Sequence, residues 1–526
     1  NTVIRYDEVF HALAAQKGWI PARLPKTKDA VKAHLLKADG NDLRWQSLQA
    51  RAYGPEIMKA AFFPGCLDVL RWARAQGHEV FIVSHKTERS HFDRNVLLRD
   101  WARRWLRRHG GGMIPQDRVF FASTRDEKVA RVRKLGLDLF VDDMQDVIEH
   151  PSFPTRTFPL HFGPQVANWS EVAQVAAVAA EIGAPALRAV RHAFGVLPVK
   201  AERAGGGNNR LLKLTLSDGR VAALKRYLVD PRDKRNRGRV EFEALELLWS
   251  HGIRNIPKPI YLSPDAGFAL LSWISGRRLK PAEIGRKQTL AAATFLKRVA
   301  ALRPKRLQEA ADSRRRLKDY PDVIEARLSR ILAGVAELRH PEAKKFVDKE
   351  LLPAKEILVA RFRADAAGRN MNAPFPARER IPSPSDFGFH NVLADAQGRL
   401  FFLDFEYFGM DDAAKLACDF CHHAGHDVSP ENKRMLVEAL ASVMPDRDVF
   451  LERVDLVYDL IGLAWILIVL NVLAPEVRAR RRFADSNVSE RALIDARLRE
   501  ARRRLKRLMS GRRDVDFPQR LLLRTS

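Results

Sequence analysis

The chain has 526 residues, 46% of them hydrophobic, and a formal net charge of +27. That length is too great for a single core and predicts two to four domains, with ample apolar material to fill them. Three cysteines, Cys66, Cys418 and Cys421, exclude a disulfide framework and fit a reducing, cytoplasmic setting. The charge invites a nucleic-acid or membrane-surface partner. It is, however, mostly Arg spread through an Ala-, Leu- and Val-rich chain, and its densest run, 478–524, is interspersed with acids. Nucleic acid is therefore not the expected partner. No basic segment leading into an apolar one opens the chain. The most apolar stretch, 460–470, falls short of the about 20 residues that span a bilayer and predicts a buried helix.

From the first residue, apolar strands alternate with helical patterns. Val80-Phe81-Ile82-Val83-Ser84 ends in a hydroxyl, Leu139-Phe140-Val141-Asp142-Asp143 ends in acids, and Lys128 lies between them. The alternation predicts a parallel α/β sheet whose ligands gather at the carboxyl ends of the strands. A hydroxyl, an ammonium and an acid gathered there could bind a phosphate and Mg2+.

With Pro64-Gly65 ahead of a helix and Ser84-His85-Lys86 after a strand, residues 1–170 resemble the haloacid dehalogenase-like phosphatases, a Rossmann-like α/β fold. The resemblance makes Thr2 the last residue of a first motif D-x-D-x-T and places both of its aspartates upstream of Asn1. It assigns phosphate to Thr2, Ser84 and Lys128. It assigns Mg2+ to Asp142 or Asp143, a pair that allows two registers, with Asp146 giving a further D-x3-D option, and makes residues 5–60 a helical cap. Without the upstream nucleophile, no phosphatase turnover is expected of the chain as written.

A helix followed by Gly183-Ala184-Pro185 predicts a linker at 171–190. Strand-like runs 211–216 and 221–227 then flank a Ser217-Asp218-Gly219 turn and predict a hairpin behind the glycine run Gly205-Gly206-Gly207-Asn208-Asn209. Lys225 ends the second run, and Glu243 on the next helix is the expected partner for its ammonium, with Glu241 competing. Farther on, Asp386 and Asn391 stand five residues apart. Runs 392–394 and 400–403, separated by Asp395-Ala396-Gln397-Gly398, predict a hairpin that returns Asp404 beside Asn391. A carboxylate to orient a hydroxyl, with an amide and a second carboxylate for Mg2+, is what phosphoryl transfer from ATP needs.

The ordered set Gly run, Lys225, Glu243, Asp386, Asn391 and Asp404 resembles the aminoglycoside phosphotransferase and choline kinase-like family, a bilobal α+β branch of the protein-kinase fold. The resemblance covers about 190–510, with an N-lobe at 191–276, a helical C-lobe at 277–510 and a basic tail at 511–526. Asp404-Phe405-Glu406 stands where that family typically has D-W-E, and Asp412 and Asp419 follow it. Pro384-Ser385-Asp386 replaces the usual H-G-D. The resemblance implies Asp386 as catalytic base and Asn391 and Asp404 as Mg2+ ligands. It implies ATP contacts by Gly206, Gly207, Asn208, Asn209, Lys225, Glu243, Ser272 and Ile274, and a helical insert at 281–362.

Cys418-Asp419-Phe420-Cys421-His422, with His423 and His426, imitates a haem or zinc motif but falls where a core helix is expected. His390 is expected to be packed or hydrogen-bonded. The whole predicts a small-molecule kinase behind a phosphatase-like domain. The net positive field favours a neutral or phosphorylated polyol over a cationic acceptor. The rival is a non-catalytic scaffold with a basic nucleic-acid- or membrane-binding tail.

Overall fold

The structure, a computed structural model, describes residues 2–39, 42–205, 209–227, 235–263, 267–475, 477–478 and 490–511. The chain divides into two compact units, Asn1–Lys225 and Arg226–Ser526.

Unit 1 opens with β1 (Ile4–Arg5), which pairs antiparallel with β2 (Ala61–Phe62). Between them lie α1 (Asp7–Gln16), α2 (Lys28–Asp39) and α3 (Leu43–Ala52). Asp7 and Glu8 open α1, where a carboxylate complements the helix dipole, and Val9, Phe10, Leu13 and Ala14 form its buried face. Phe10 stacks on Trp45 of α3 with ring centroids 4.9 Å apart. The expected helical segment is thus a packed three-helix layer.

The α/β part follows as α4 (Cys66–Ala75), β3 (Ile82–His85), α5 (Leu98–His109), β4 (Val119–Ala122), α6 (Arg125–Leu135), β5 (Leu139–Asp142), α7 (Gln145–Ile148) and β6 (Phe158–His161). β3 runs parallel to β4, pairing Ile82 with Val119 and His85 with Ala122. β5 runs parallel to β6, pairing Leu139 with Phe158 and Asp142 with His161. Among the described residues these are two separate two-stranded sheets. Thr124 caps α6 by accepting from the Glu127 N–H at 3.1 Å, and Ser123 N–H donates to the Glu127 carboxylate at 2.7 Å. Both ends of this capping arrangement hold the first turn, where Lys128 sits.

The expected linker helix is α8 (Trp169–Phe194), capped by Asn168 and broken at Gly183 (φ 72°, ψ 160°) just before Pro185. It packs against β7 (Pro198–Arg203), which pairs antiparallel with β8 (Arg210–Leu216). β9 (Val221–Arg226) lies beside β8 across the expected turn. There Leu216 N–H donates to Arg220 O at 2.8 Å, and Gly219 takes φ +83°. The packing of α8 on β7 moves the division between compact units to Lys225/Arg226, beyond the linker expected at 171–190.

Unit 2 begins with α9 (Arg237–Ser250) and the antiparallel pair β10 (Pro259–Ser263) and β11 (Phe268–Ser272). β12 (Arg277–Arg278) later pairs with β14. The expected insert forms α10 (Arg286–Ala300), α11 (Asp319–Glu337), α12 (Pro341–Phe346) and α13 (Leu352–Asp365). β13 (Arg380–Ser383) pairs with β16 (Gly409–Asp412), and β14 (Val392–Ala394) with β15 (Leu400–Phe402), both antiparallel. The helices α14 (Ala413–His422), α15 (Pro430–Ala441), α16 (Arg447–Val469) and α17 (Glu490–Met509) complete it. α16 contains the apolar stretch up to Val469 and packs against α11, α13, α14 and α17.

Among the described residues two helices, α8 and α16, are long and apolar enough to cross a membrane. In α16 89% of the most apolar window is buried inside the protein, as in the core helix of a large domain.

Cys418 and Cys421 are both buried on α14, and Cys418 Sγ lies 3.6 Å from Val454 O on α16. They fill space between helices as small apolar groups do. Replacing both by Ala is expected to lower stability in denaturant melts by about 1–3 kcal/mol. Metal content by elemental analysis stays unchanged. Stoichiometric zinc lost with the double substitution would make the pair ligands instead.

Candidate active site

The centre of unit 2 is the loop from Ser385 to Asn391. Phe387 and Phe389 are buried on either side of Gly388 and anchor the loop in the core. Phe387 stacks on Phe402 (5.4 Å) and Phe295 (5.8 Å), and Phe389 meets Phe420 edge-on. Aromatic residues at alternate positions pull the backbone down and leave Asp386 above it, its side chain 39% exposed and open to a second molecule. Ser385 (φ +67°) makes the reversal, with its hydroxyl donating to Ala311 O at 3.0 Å.

Asn391 Nδ2 donates to Asp386 O at 3.3 Å. This bond fixes which end of the amide is nitrogen and turns Oδ1 away as an available ligand atom. The β14–β15 hairpin forms as expected. Asp395 Oδ1 accepts from the N–H groups of Gln397 and Arg399, and Gly398 takes φ +75°. Leu403 N–H then donates to Asn391 O at 2.9 Å, which brings Asp404 back beside Asn391. Asp404 itself has φ +68°, a left-handed conformation that costs a non-glycine residue on the order of 1 kcal/mol and clusters at functional sites.

The segment after Asp404 is clamped by α9. Glu241 is buried and accepts from the Phe405 N–H at 3.4 Å, and Arg237 Nη1 lies 3.4 Å from Glu406 Oε1. Gly238 permits this approach, since a Cβ there would fall 2.7 Å from the Tyr227 ring. Glu243, the expected partner on this helix, is exposed. The buried positions of α9 are 238, 241, 244, 245 and 248, a helical stripe that excludes 243. Glu241 is therefore the acid on the core face.

Of the other expected nucleotide contacts, Lys225 lies near the end of β9 and Asn209 just before β8, both in unit 1. Gly206, Gly207 and Asn208 lie outside the described residues. Ser272 ends β11, where its N–H donates to Lys258 O at 2.9 Å, and Ile274 follows the strand. Asp412 and Asp419 serve packing. Asp412 accepts from Tyr320 Oη at 2.6 Å, and Asp419 binds Lys415 Nζ at 2.8 Å and Trp465 Nε1 at 2.9 Å.

Two histidines contact Asp386 and a third, His426, stacks behind one of them; chain spacing did not place His423 or His426 there. His423, at the end of α14, is buried with Nε2 at 3.2 Å from Asp386 Oδ1. His390 Nε2 lies 3.6 Å from Asp386 Oδ2. Burial alone would push the Asp386 carboxyl up, but His390 and His423 outweigh it and hold the group well below the usual carboxylate range. Burial lowers His423, and burial with His423 beside it lowers His426 to about 3. Because folded His426 titrates below its unfolded pKa of about 6.5, the unfolded chain binds more protons between the two values. The stability is present above pH 6.5 and lost as pH falls. Denaturant melts at pH 7 and pH 5 are expected to differ by about 2 kcal/mol on this account, a loss that His426→Phe removes.

In unit 1, Thr2, Ser84, Lys128, Asp142 and Asp143 line one cavity of about 1300 Å³. Buried Lys128 forms an ion pair with buried Asp142, whose other oxygen accepts from Met144 N–H at 3.0 Å. Thr2 Oγ1 donates to Asp143 Oδ1 at 2.7 Å. Asp146 instead pairs with Arg125 at 2.8 Å and is exposed, so it is not part of the group. Lys86 lines the same cavity, its Nζ 4.5 Å from the centre of the Tyr53 ring. Burial and the neighbouring Lys28 pull its ammonium down to about 8. Chain spacing showed Lys86 only as the residue after a strand end.

Residues 201–448 match the model of the phosphotransferase enzyme family. Among solved structures, the choline kinase LicA from Streptococcus pneumoniae is similar at 16% identity and TM-score 0.41, covering 61% of this chain and 98% of that one. A choline/ethanolamine kinase family protein from Mesorhizobium loti is similar at 18% identity and TM-score 0.37, covering 59% and 93%. The ADP-bound aminoglycoside phosphotransferase APH(2'')-Ib gives 14% identity and TM-score 0.40, covering 61% and 97%. A Bacillus cereus protein named "Putative nucleotidase" is 22% identical over 176 residues, 32% of this chain and 80% of that one. The segment that matches the phosphotransferase family contains Lys225, Asp386, Asn391 and Asp404.

Proposed function

We propose that the chain is an ATP- and Mg2+-dependent phosphotransferase acting on a hydroxyl of a small molecule of the sugar or amino-alcohol type. The observation that carries this reading is the convergence of Asp386, Asn391 and Asp404 through two hydrogen bonds, Asn391 Nδ2 to Asp386 O and Leu403 N–H to Asn391 O. In this reading Asp386 accepts or orients the proton of the acceptor hydroxyl as the oxygen attacks the terminal phosphoryl group. The donor set fits Mg2+: the amide oxygen of Asn391 is turned outward by the bond its nitrogen makes, and Asp404 offers a carboxylate. When bound, the ion neutralises charge on the phosphates. Lys225 and the glycine-rich turn keep the phosphate-steadying roles that the family resemblance implies.

The same reading makes unit 1 a phosphatase-type domain of the haloacid dehalogenase-like kind. Its support is the shared cavity that holds Thr2, Ser84, Lys128, Asp142 and Asp143. Ser84 and Lys128 would hold phosphate there, and the strand-end acids a metal. Both domains in one chain suit a cytoplasmic pathway in which phosphate is added at one position and removed at another.

The test is calorimetry of the full chain with ATP, with and without Mg2+, then an acceptor screen. The panel holds choline, ethanolamine, aminoglycosides, sugar alcohols and sugar phosphates. ATP binding strengthened by Mg2+, with transfer to one acceptor class, is expected. No nucleotide binding in the presence of Mg2+ overturns the reading. Binding without transfer to any acceptor or to water favours the scaffold.

A further inference from the structure

Asp386, His390 and His423 present ligand atoms that all lie within 4.8 Å of one another, a spacing that invites a transition metal. The hydrogen bonds argue for a different role. Gly425 N–H donates to His423 Nδ1 at 2.8 Å, so Nδ1 must carry a lone pair. A neutral imidazole has one proton, which therefore sits on Nε2, and Nε2 faces Asp386 Oδ1 at 3.2 Å. A metal at Nε2 would need that lone pair free and would force a proton onto Nδ1, against the Gly425 N–H. His423 is thus built as a hydrogen-bond donor to the carboxylate.

Its ring has little freedom to do anything else. His423 stacks between His390 (4.7 Å, 22°) and His426 (5.0 Å, 8°) and rests on Trp465 (4.4 Å). A Cβ at Gly388 or Gly425 would fall 2.6 Å or 2.9 Å from its Cε1, so the two glycines make room for the ring. His426 is held in turn by Phe389 N–H on Nδ1 (3.4 Å) and by Phe420 O at Nε2 (2.9 Å). The two oxygens of Asp386 are consequently unequal. Oδ1 is occupied by His423, whereas among the described residues the partner of Oδ2 is His390 at 3.6 Å, beyond hydrogen-bond length.

We infer that His423 is a positioning residue for phosphoryl transfer: it holds Oδ1 of Asp386 so that Oδ2 alone receives the acceptor proton. The inference rests on the kinase reading above. In this chain Pro384-Ser385 precedes Asp386, and the imidazole reaches the aspartate from 37 residues downstream. The proton passes from the acceptor hydroxyl to Oδ2 as the oxygen–phosphorus bond forms and the bond to ADP breaks. His423 keeps its own proton throughout.

The experiment uses the full chain with His423→Phe, which keeps the stacked ring and removes the donor, and His423→Gln, which restores an N–H. Mg-ATP affinity, measured by calorimetry, is expected to be unchanged in both. Mg-ATP turnover with water as acceptor is expected to fall about 10- to 100-fold in His423→Phe and to recover in part in His423→Gln. The acidic limb of its pH profile is expected to move up by roughly one unit as Asp386 loses a donor. The groups facing that pair, His390, His426 and Asp419, are left in place. A carboxyl 13C titration of Asp386, assigned by the signal lost in Asp386→Asn, reads the same shift where turnover with water is too slow to follow. His423→Phe with wild-type turnover and acidic limb, or with an unshifted Asp386 titration, overturns the inference. So does an imidazole 15N spectrum that puts the His423 proton on Nδ1. Failure of the wild-type chain to bind Mg-ATP would instead defeat the kinase reading.

Discussion

Asp386→Asn is expected to cut phosphoryl transfer by about 10²- to 10⁴-fold while leaving Mg-ATP affinity near wild type. The amide has nearly the volume of the carboxylate and keeps the contact with His423, but it cannot take a proton from an incoming hydroxyl. The two measurements separate chemistry from binding: single-turnover transfer to whichever acceptor the screen identifies, and calorimetry with Mg-ATP. Asp404→Ala is the complementary change. It would remove a carboxylate that, in the kinase reading, would help hold Mg2+, so the Mg2+-dependent part of the ATP affinity is expected to fall and the variant to match wild type once EDTA is added. Wild-type transfer in Asp386→Asn would mean that another group takes the proton.

The second large effect concerns unit 1. Among the described residues β3 and β5 lie in separate two-stranded sheets, and residues of both line the cavity that contains Thr2. In the phosphatase-type reading, a further strand ending in Asp-x-Asp ahead of Asn1 would bring two carboxylates to the cavity that Ser84, Lys128 and Asp142 line. Aspartyl-phosphate chemistry needs such a nucleophile, whereas in that reading Ser84, Lys128 and Asp142 would only bind and polarise. Extending the chain with that strand is expected to raise hydrolysis of an aryl phosphate from background to measured turnover, an effect of 10³-fold or more by the order of magnitude of covalent catalysis. Asp404→Ala leaves the gain intact, and replacement of the first added Asp by Asn abolishes it. The added carboxylates would also compete with Asp142 for the Lys128 ammonium, an exchange that a structure of the extended chain would reveal. If the chain as written already hydrolyses aryl phosphates and Asp142→Ala abolishes this, the nucleophile lies elsewhere and Thr2 does not end the first motif.

The elements legible from the amino-acid order are those governed by short-range rules. Asp395 and Gly398 set a tight turn, the turn sets the register of β14 and β15, and the register returns Asp404 to Asn391. The apolar stretch 460–470 is too rich in large aliphatic residues for any surface, so a buried helix followed from composition and length. The alternation of strands and helices in 80–161 favoured parallel pairing, since a helix between two strands carries the chain back to the end where the first strand began.

Tertiary structure alone decided the rest. Whether Glu241 or Glu243 turns inward depends on the rotation of α9 about its axis, and two residues differ there by about 200°. The stripe Ala244, Leu245 and Leu248 meets the core, and 241 belongs to it. The pairing of Lys128 with Asp142 joins a helix to a strand end whose distance no motif states. His423 reaches Asp386 because α14 ends beside the loop and because Gly388 and Gly425 leave room for an imidazole. Local turn and periodicity signals act over a few residues, whereas these contacts depend on where whole helices stop and which way they face.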